Sequence, residues 1–151
     1  QFSQREIMLE YIDTMKKELS QTTADAVRKS VQNGLIEGKS VNEIANSIQT
    51  IAAFAPSRSM LIARTESTRA ANRAAIAAYE QAQGEGLDIK KEWLASADGN
   101  VRDTHADLDG TVIGVNEEFV TTEGYSGQAP GDFGEASEDC NCRCTVIPVV
   151  L

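Results

Sequence analysis

No stretch of this 151-residue chain approaches the roughly 20 consecutive apolar residues that a membrane-spanning helix requires, so no membrane contact is expected. The opening residues, Gln1-Phe2-Ser3-Gln4, have neither a charged-then-apolar leader pattern nor an initiator Met, which leads to the expectation of a chain cut from a longer one. A G-x-S-x-G elbow, a Gly-rich phosphate loop and an H-E-x-x-H helix are all missing, so the chemistries they support have no anchor here. Histidine occurs once, at His105, and the three cysteines crowd into Cys140-Asn141-Cys142-Arg143-Cys144. An odd, closely spaced set of thiols is a poor disulfide framework and favours a reducing compartment. Basic residues are scarce in the second half. Residues 91–151 carry three (Lys91, Arg102, Arg143) against twelve acidic ones, whereas residues 1–90 carry eleven of each, so the formal charge of -9 sits entirely at the C-terminal end. Such a surface repels phosphate and attracts a cation or a basic protein partner.

What is present is an ordinary globular composition, 41% hydrophobic and 25% charged, sufficient for one core or one core with a small appendage. The first 83 residues read as helices. Phe2, Ile7, Met8, Tyr11, Ile12, Met15 and Leu19 fall at a three-and-four spacing; Ala24, Val27, Val31 and Leu35 form a second stripe stopped by Gly38. Ser40-Val41-Asn42-Glu43 matches a capping box ahead of a third stripe, Val41, Ile44, Ala45, Ile48 and Ile51. After Pro56 a long helix runs from Ser57 to Gln83. On a 100° wheel, Met60, Leu61, Ala71, Ala75, Ala78, Tyr79 and Ala82 share one sector with Arg64 at its middle, so Arg64 is expected to face inward and to need a carboxylate. Glu66 stands at ion-pair spacing from Arg69, and Arg64 and Glu66 are the candidates for structural ion pairing. Arg58, Arg69 and Arg73 line another sector, either a solvated face or a docking surface.

Beyond Gly84 the pattern changes to strands and loops. Strands are expected over Asp88–Ala95, Thr111–Val115 and Cys144–Val150, the last tolerating Pro148 only at an edge or bulge. Asp103 is a candidate cap for a short helix through Leu108, and Thr121 to Glu138 reads as a long loop. Three thiolates and one imidazole would fill a tetrahedral zinc site and make it structural. Successive same-face positions on a strand, however, lie about 6.8 Å apart, while two sulfurs on one zinc lie at most about 4.6 Å apart. Only a kinked chain delivers a neighbouring pair, and all three would need a stronger bend. Two cysteines, His105 and Asp107 or Asp109 form an equally legal set, and thiols serving as small core side chains are the alternative. His105 among Asp103, Asp107 and Asp109 also resembles a general base of a nuclease or hydrolase. Glu117 and Glu118 as transferase acids are disfavoured because adjacent strand positions face opposite ways.

The run Ala63-Arg64-Thr65-Glu66, with Asn72 and Tyr79 on the same helix, is followed by Trp93, Arg102-x-x-His105-x-x-x-Asp109-Gly110, Phe119 and Asn141-Cys142-Arg143-Cys144 ahead of Pro148. This series, over about residues 35–150, resembles the phage Mu F-like minor capsid, or head morphogenesis, proteins of tailed bacteriophages and prophages. The resemblance implies a minor head component associated with the portal region, acting in capsid assembly and in the fate of DNA during ejection; some members carry additional toxin domains. It places the family's His and Cys-Arg-Cys on His105, Cys142 and Cys144, the set expected for zinc, with Cys140 an addition that would supply a fourth ligand. It places the family's Arg-Thr-Glu on Arg64, Thr65 and Glu66, in line with Arg64 as an inward structural charge.

The expectation is therefore an α+β protein, with N-terminal helices over residues 1–56 packed as one compact unit with a domain over 57–151 that holds the long helix and a small antiparallel β part with long loops. Its expected function is structural, in the virion and, during assembly, in the cytoplasm of the bacterial host, through contacts with portal, major capsid or scaffold proteins. DNA contact through Arg58, Arg69 and Arg73 is not favoured. The alternative is an enzyme, a metal-dependent nuclease or hydrolase using His105 and a nearby Asp, or a transferase-type toxin module.

Overall fold

The computed structural model describes residues 21–151. The helix expected from Phe2 to Leu19 lies outside the described residues. The class is α+β: three helices, α1 (Gln21–Ile36), α2 (Val41–Ala52) and α3 (Pro56–Gly84), precede two small antiparallel sheets and two single-turn helices. The chain forms two compact units, one ending at Ser67 and the other running from Thr68 to Leu151, so the boundary falls within α3.

In the first unit the local signals act as read, except that Ile51, the last residue of the third stripe, is exposed. Gly38, with φ 70°, closes α1, its amide bonding to the Leu35 carbonyl. The Ser40 hydroxyl accepts from the Glu43 amide at 3.2 Å and the Glu43 carboxylate accepts from the Ser40 amide at 2.7 Å, a complete capping box that starts α2. Val27 and Val31 from α1, Ile44, Ala45 and Ile48 from α2, and Ile62 and Ala63 from the start of α3 make one core. Arg58 lies over the Phe54 ring, 5.4 Å from its centroid.

The second unit is built around β1 (Ile89–Leu94), flanked antiparallel by β2 (Val112–Gly114) and by the edge strand β5 (Thr145–Val150). Pro148 sits opposite Lys91 on that edge strand, where a missing amide is tolerated. A hairpin, β3 (Phe119–Val120) with β4 (Ser126–Gly127), and the turns α4 (Asp103–Ala106) and α5 (Ala136–Asp139) complete it. The segment read as one loop from Thr121 to Glu138 thus contains β4 and most of α5. Its few ordered residues carry too little periodicity to show in sequence. The core is Ile76, Trp93, Leu108, Phe119, Val146 and their neighbours, the thiols of Cys142 and Cys144 included.

The inward line of α3 differs from the wheel sector. Ala71 and Ala78 are exposed, and the buried or half-buried line in the second unit runs Thr68, Asn72, Ala75, Ile76 and Tyr79. Hydrogen bonding turns the helix this way. Asn72 accepts the Val146 amide at 3.0 Å and donates to the Cys144 carbonyl at 3.3 Å; Tyr79 donates to the Val146 carbonyl at 3.2 Å; and Thr68 donates to the Cys142 carbonyl at 2.7 Å. Polar side chains therefore cover the free edge of β5, which a hydrophobic wheel does not detect. Arg64, placed by the wheel at mid-sector, is half-buried, as is Glu66.

Candidate metal centre

His105 is delivered by α4. Arg102, extended at φ -70° and ψ 154°, holds the cap position expected of Asp103, and its carbonyl accepts the His105 amide at 3.0 Å. Its guanidinium donates to the carbonyls of Ser137 at 2.6 Å, of Glu138, and of Cys140 at 2.6 Å. One side chain thereby satisfies orphan acceptors at the end of α5 and ties the histidine turn to the cysteine segment. Cys142 and Cys144 lie two apart on the extended approach to β5, on one side of the chain.

The imidazole Nδ1 stands 3.5 Å from Cys142 Sγ and 3.7 Å from Cys144 Sγ. With metal–nitrogen and metal–sulfur bonds of about 2.05 and 2.3 Å at a tetrahedral angle, zinc would set each nitrogen–sulfur distance near 3.6 Å, so these three donors fit it. Among the described residues they are the group that lies close enough to share one ion. On the far side of the ring, Nε2 is 2.9 Å from Glu138 Oε2, a close contact off the axis of a ring N–H. A tautomer with its proton on Nε2, on the Glu138 side of the ring, would leave the Nδ1 lone pair toward the two thiols and free for a metal, as in a carboxylate–histidine–metal arrangement. Thr104 donates to the same Glu138 oxygen at 2.9 Å. Trp93, wholly buried, meets the imidazole edge-on at 5.0 Å between ring centroids, and Phe133 lies at 5.7 Å. The bond from Cys142, aided by His105 and opposed by burial, holds Cys144 well below the usual thiol range, while donation to Cys144 and burial push Cys142 up.

Of the four metal-site residues expected from sequence, the structure brings together His105, Cys142 and Cys144 and leaves Cys140 outside the group, though buried. Asn141, at φ 57°, puts a left-handed step between Cys140 and Cys142, and the Cys140 carbonyl is held by Arg102. The bend that could have collected all three thiols is spent separating the first from the other two. Asp103, Asp107 and Asp109 do not join either. The first two stand two positions from His105, roughly 200° around a helical turn, and are exposed; Asp109 accepts the Ala95 amide at 2.8 Å. The carboxylate at the histidine is Glu138, which sequence reasoning missed because it lay in a segment read as loop. Arg102 was visible only as part of a motif.

A cavity of about 10 Å³, room for about one water, adjoins the three donors; Asp98, Asn100 and Arg143 stand at its exposed end. Elsewhere in this unit Arg69 donates to the Gly131 carbonyl at 2.9 Å and lies 3.9 Å from Asp139, and Arg73 lies 3.5 Å from Asp132. These two arginines of the expected stripe are thus engaged by the chain itself. Among the described residues no helix is long and apolar enough to cross a membrane.

Set beside known proteins, the chain is 45% identical over 127 residues to a protein named NAD(+)--arginine ADP-ribosyltransferase EFV from Enterococcus faecalis, a match covering 84% of this chain and 26% of that protein. It is 32% identical over 124 residues to Minor head protein GP7 of Bacillus phage SPP1, covering 82% of this chain and 40% of the relative. An uncharacterized Bacillus subtilis protein, YqbB, is 33% identical over 132 residues, 85% of this chain and 42% of its own length. The chain therefore spans less than half the length of each of these relatives. No solved structure gives a significant match. The family model described as Phage Mu protein F like protein matches residues 25–147, and the chain belongs to that family.

Proposed function

We propose that this chain is a structural component of a tailed-bacteriophage or prophage head, a minor head protein that contacts portal, major capsid or scaffold proteins during assembly and DNA packaging or ejection. It would reside in the virion and, before that, in the host cytoplasm. The observation that carries this reading is the 32% identity to a minor head protein across 82% of the chain, within one family. The site agrees with it. His105 is 1% exposed, and the space beside it has room for about one water, which favours a structural over a catalytic use of the ring. The transferase named among the relatives matches this chain over 26% of its own length, so its name alone does not assign an activity to the shared residues.

Zinc held by His105, Cys142 and Cys144 would act as a cross-link between α4 and the approach to β5, adding to the bonds that Arg102 and Thr104 already make from the histidine turn to Ser137, Glu138 and Cys140. Arg64 and Glu66 serve in this reading as half-buried structural charges of α3. Direct DNA contact through Arg58, Arg69 and Arg73 is disfavoured, since Arg69 and Arg73 already meet acceptors in their own unit and Arg58 lies over Phe54. The test is peptide mass spectrometry on particles of the phage or prophage that encodes the chain, with heads separated from tails. The chain is expected in the head fraction; its recovery only from soluble host fractions would overturn the proposal.

A further inference from the structure

We infer that a metal held by this chain takes three ligands from it, His105, Cys142 and Cys144, and keeps its fourth position for an exchangeable small ligand, water in the isolated protein. This rests on the zinc reading above and deepens it. A closed structural site needs a fourth protein donor, and the chain has a third thiol close in sequence to supply one. The structure places that thiol outside the group of donors that can share an ion. The obstacle is in the backbone: Asn141 is left-handed at φ 57°, and Arg102 fixes the Cys140 carbonyl at 2.6 Å, so bringing Cys140 in would break a charge-assisted bond and reverse a turn.

The second observation is the space beside the donors. His105, Cys142 and Cys144 all border the cavity of about 10 Å³, which holds about one water and ends at exposed residues. Its lining mixes polar and apolar residues and includes Arg102, whose guanidinium is held by the Ser137, Glu138 and Cys140 carbonyls, and Arg143, which is paired with Asp98. Asp98, also on the wall, is not a competing ligand. Its carboxylate accepts from Arg143 at 2.8 Å and from the Asn100 amide at 3.0 Å, and it lies outside the group close enough to share the ion. The space suits water or another ligand of a few atoms.

The experiment uses the whole chain loaded with zinc, and with cobalt(II) in its place. Zinc X-ray absorption is expected to show two sulfur and two nitrogen or oxygen neighbours, unchanged in Cys140→Ser and in Asp98→Ala. Azide added to the cobalt form is expected to change its visible absorption saturably. Three sulfur neighbours, a spectrum altered by either substitution, or a cobalt form indifferent to azide would each overturn the open position. Failure to bind one zinc per chain at all would instead overturn the zinc reading on which it rests, so the two failures are distinguishable.

Discussion

Replacing Glu138 by Gln preserves the shape of the side chain and an acceptor for Thr104 while removing the negative charge 2.9 Å from His105 Nε2. Carboxylates behind a ligating histidine fix its orientation and raise its basicity. Zinc affinity is therefore expected to fall about 10- to 100-fold with the fold retained. Competition against a chromophoric chelator measures this, and an unchanged affinity would show that the contact orients nothing. At the same scale Lys91 illustrates what a strand pattern conceals. It alternates into the core with Ile89 and Trp93, where Nζ donates to the Gln128 carbonyl at 2.8 Å and to its side-chain oxygen at 3.0 Å and lies over the Phe119 ring. Burial pushes its pKa down, but those acceptors and the ring make a charged residue tolerable at an inward position.

Helix α3 and the loop beside it are the elements on which the second unit depends. The helix offers Thr68, Asn72 and Tyr79 to the backbone of the β5 edge, and it also receives the loop at Gly131. Gly131 adopts φ 87°, and a Cβ there would lie 3.1 Å from the Arg69 Cα and 3.3 Å from its Cβ, a crowding that helix backbone cannot relieve. Gly131→Ala is expected to cost about 1–2 kcal/mol for the left-handed backbone, and more for the contact. Gly134→Ala, at φ 71° with open space around it, should incur only the first cost. Urea unfolding of both variants separates the two contributions; equal losses would show that the loop moves away from α3 freely.

For the whole molecule the question is what holds an acidic, loop-rich C-terminal unit together. Its sheets are short and its net charge is strongly negative, so a metal joining His105 to Cys142 and Cys144 would stabilise it by several kcal/mol. Chelation of the zinc-loaded chain is expected to lower its melting temperature, and Cys144→Ser is expected to do the same without chelator. A melting curve indifferent to chelator would exclude a structural metal.

Much of the first unit was determined locally. The stop at Gly38, the Ser40–Glu43 capping box and the Ile44–Ile48 stripe depend on neighbours within a turn or two, and such contacts are written in spacing. The identity of three metal-site candidates was likewise available, since His105, Cys142 and Cys144 are scarce residue types in a recognisable order. What tertiary structure decided was every choice between near-equivalent partners. Cys140 fell out at a left-handed residue, the carboxylate beside His105 is Glu138, at the ring nitrogen away from the thiols, and not Asp107 or Asp109, and the buried line of α3 followed Asn72 and Ile76 and left Ala71 and Ala78 exposed. The physical reason is common to all three. A hydrogen bond or a coordinating lone pair depends on direction and on tenths of an ångström between residues far apart in the chain, whereas composition and periodicity report only how apolar each face is.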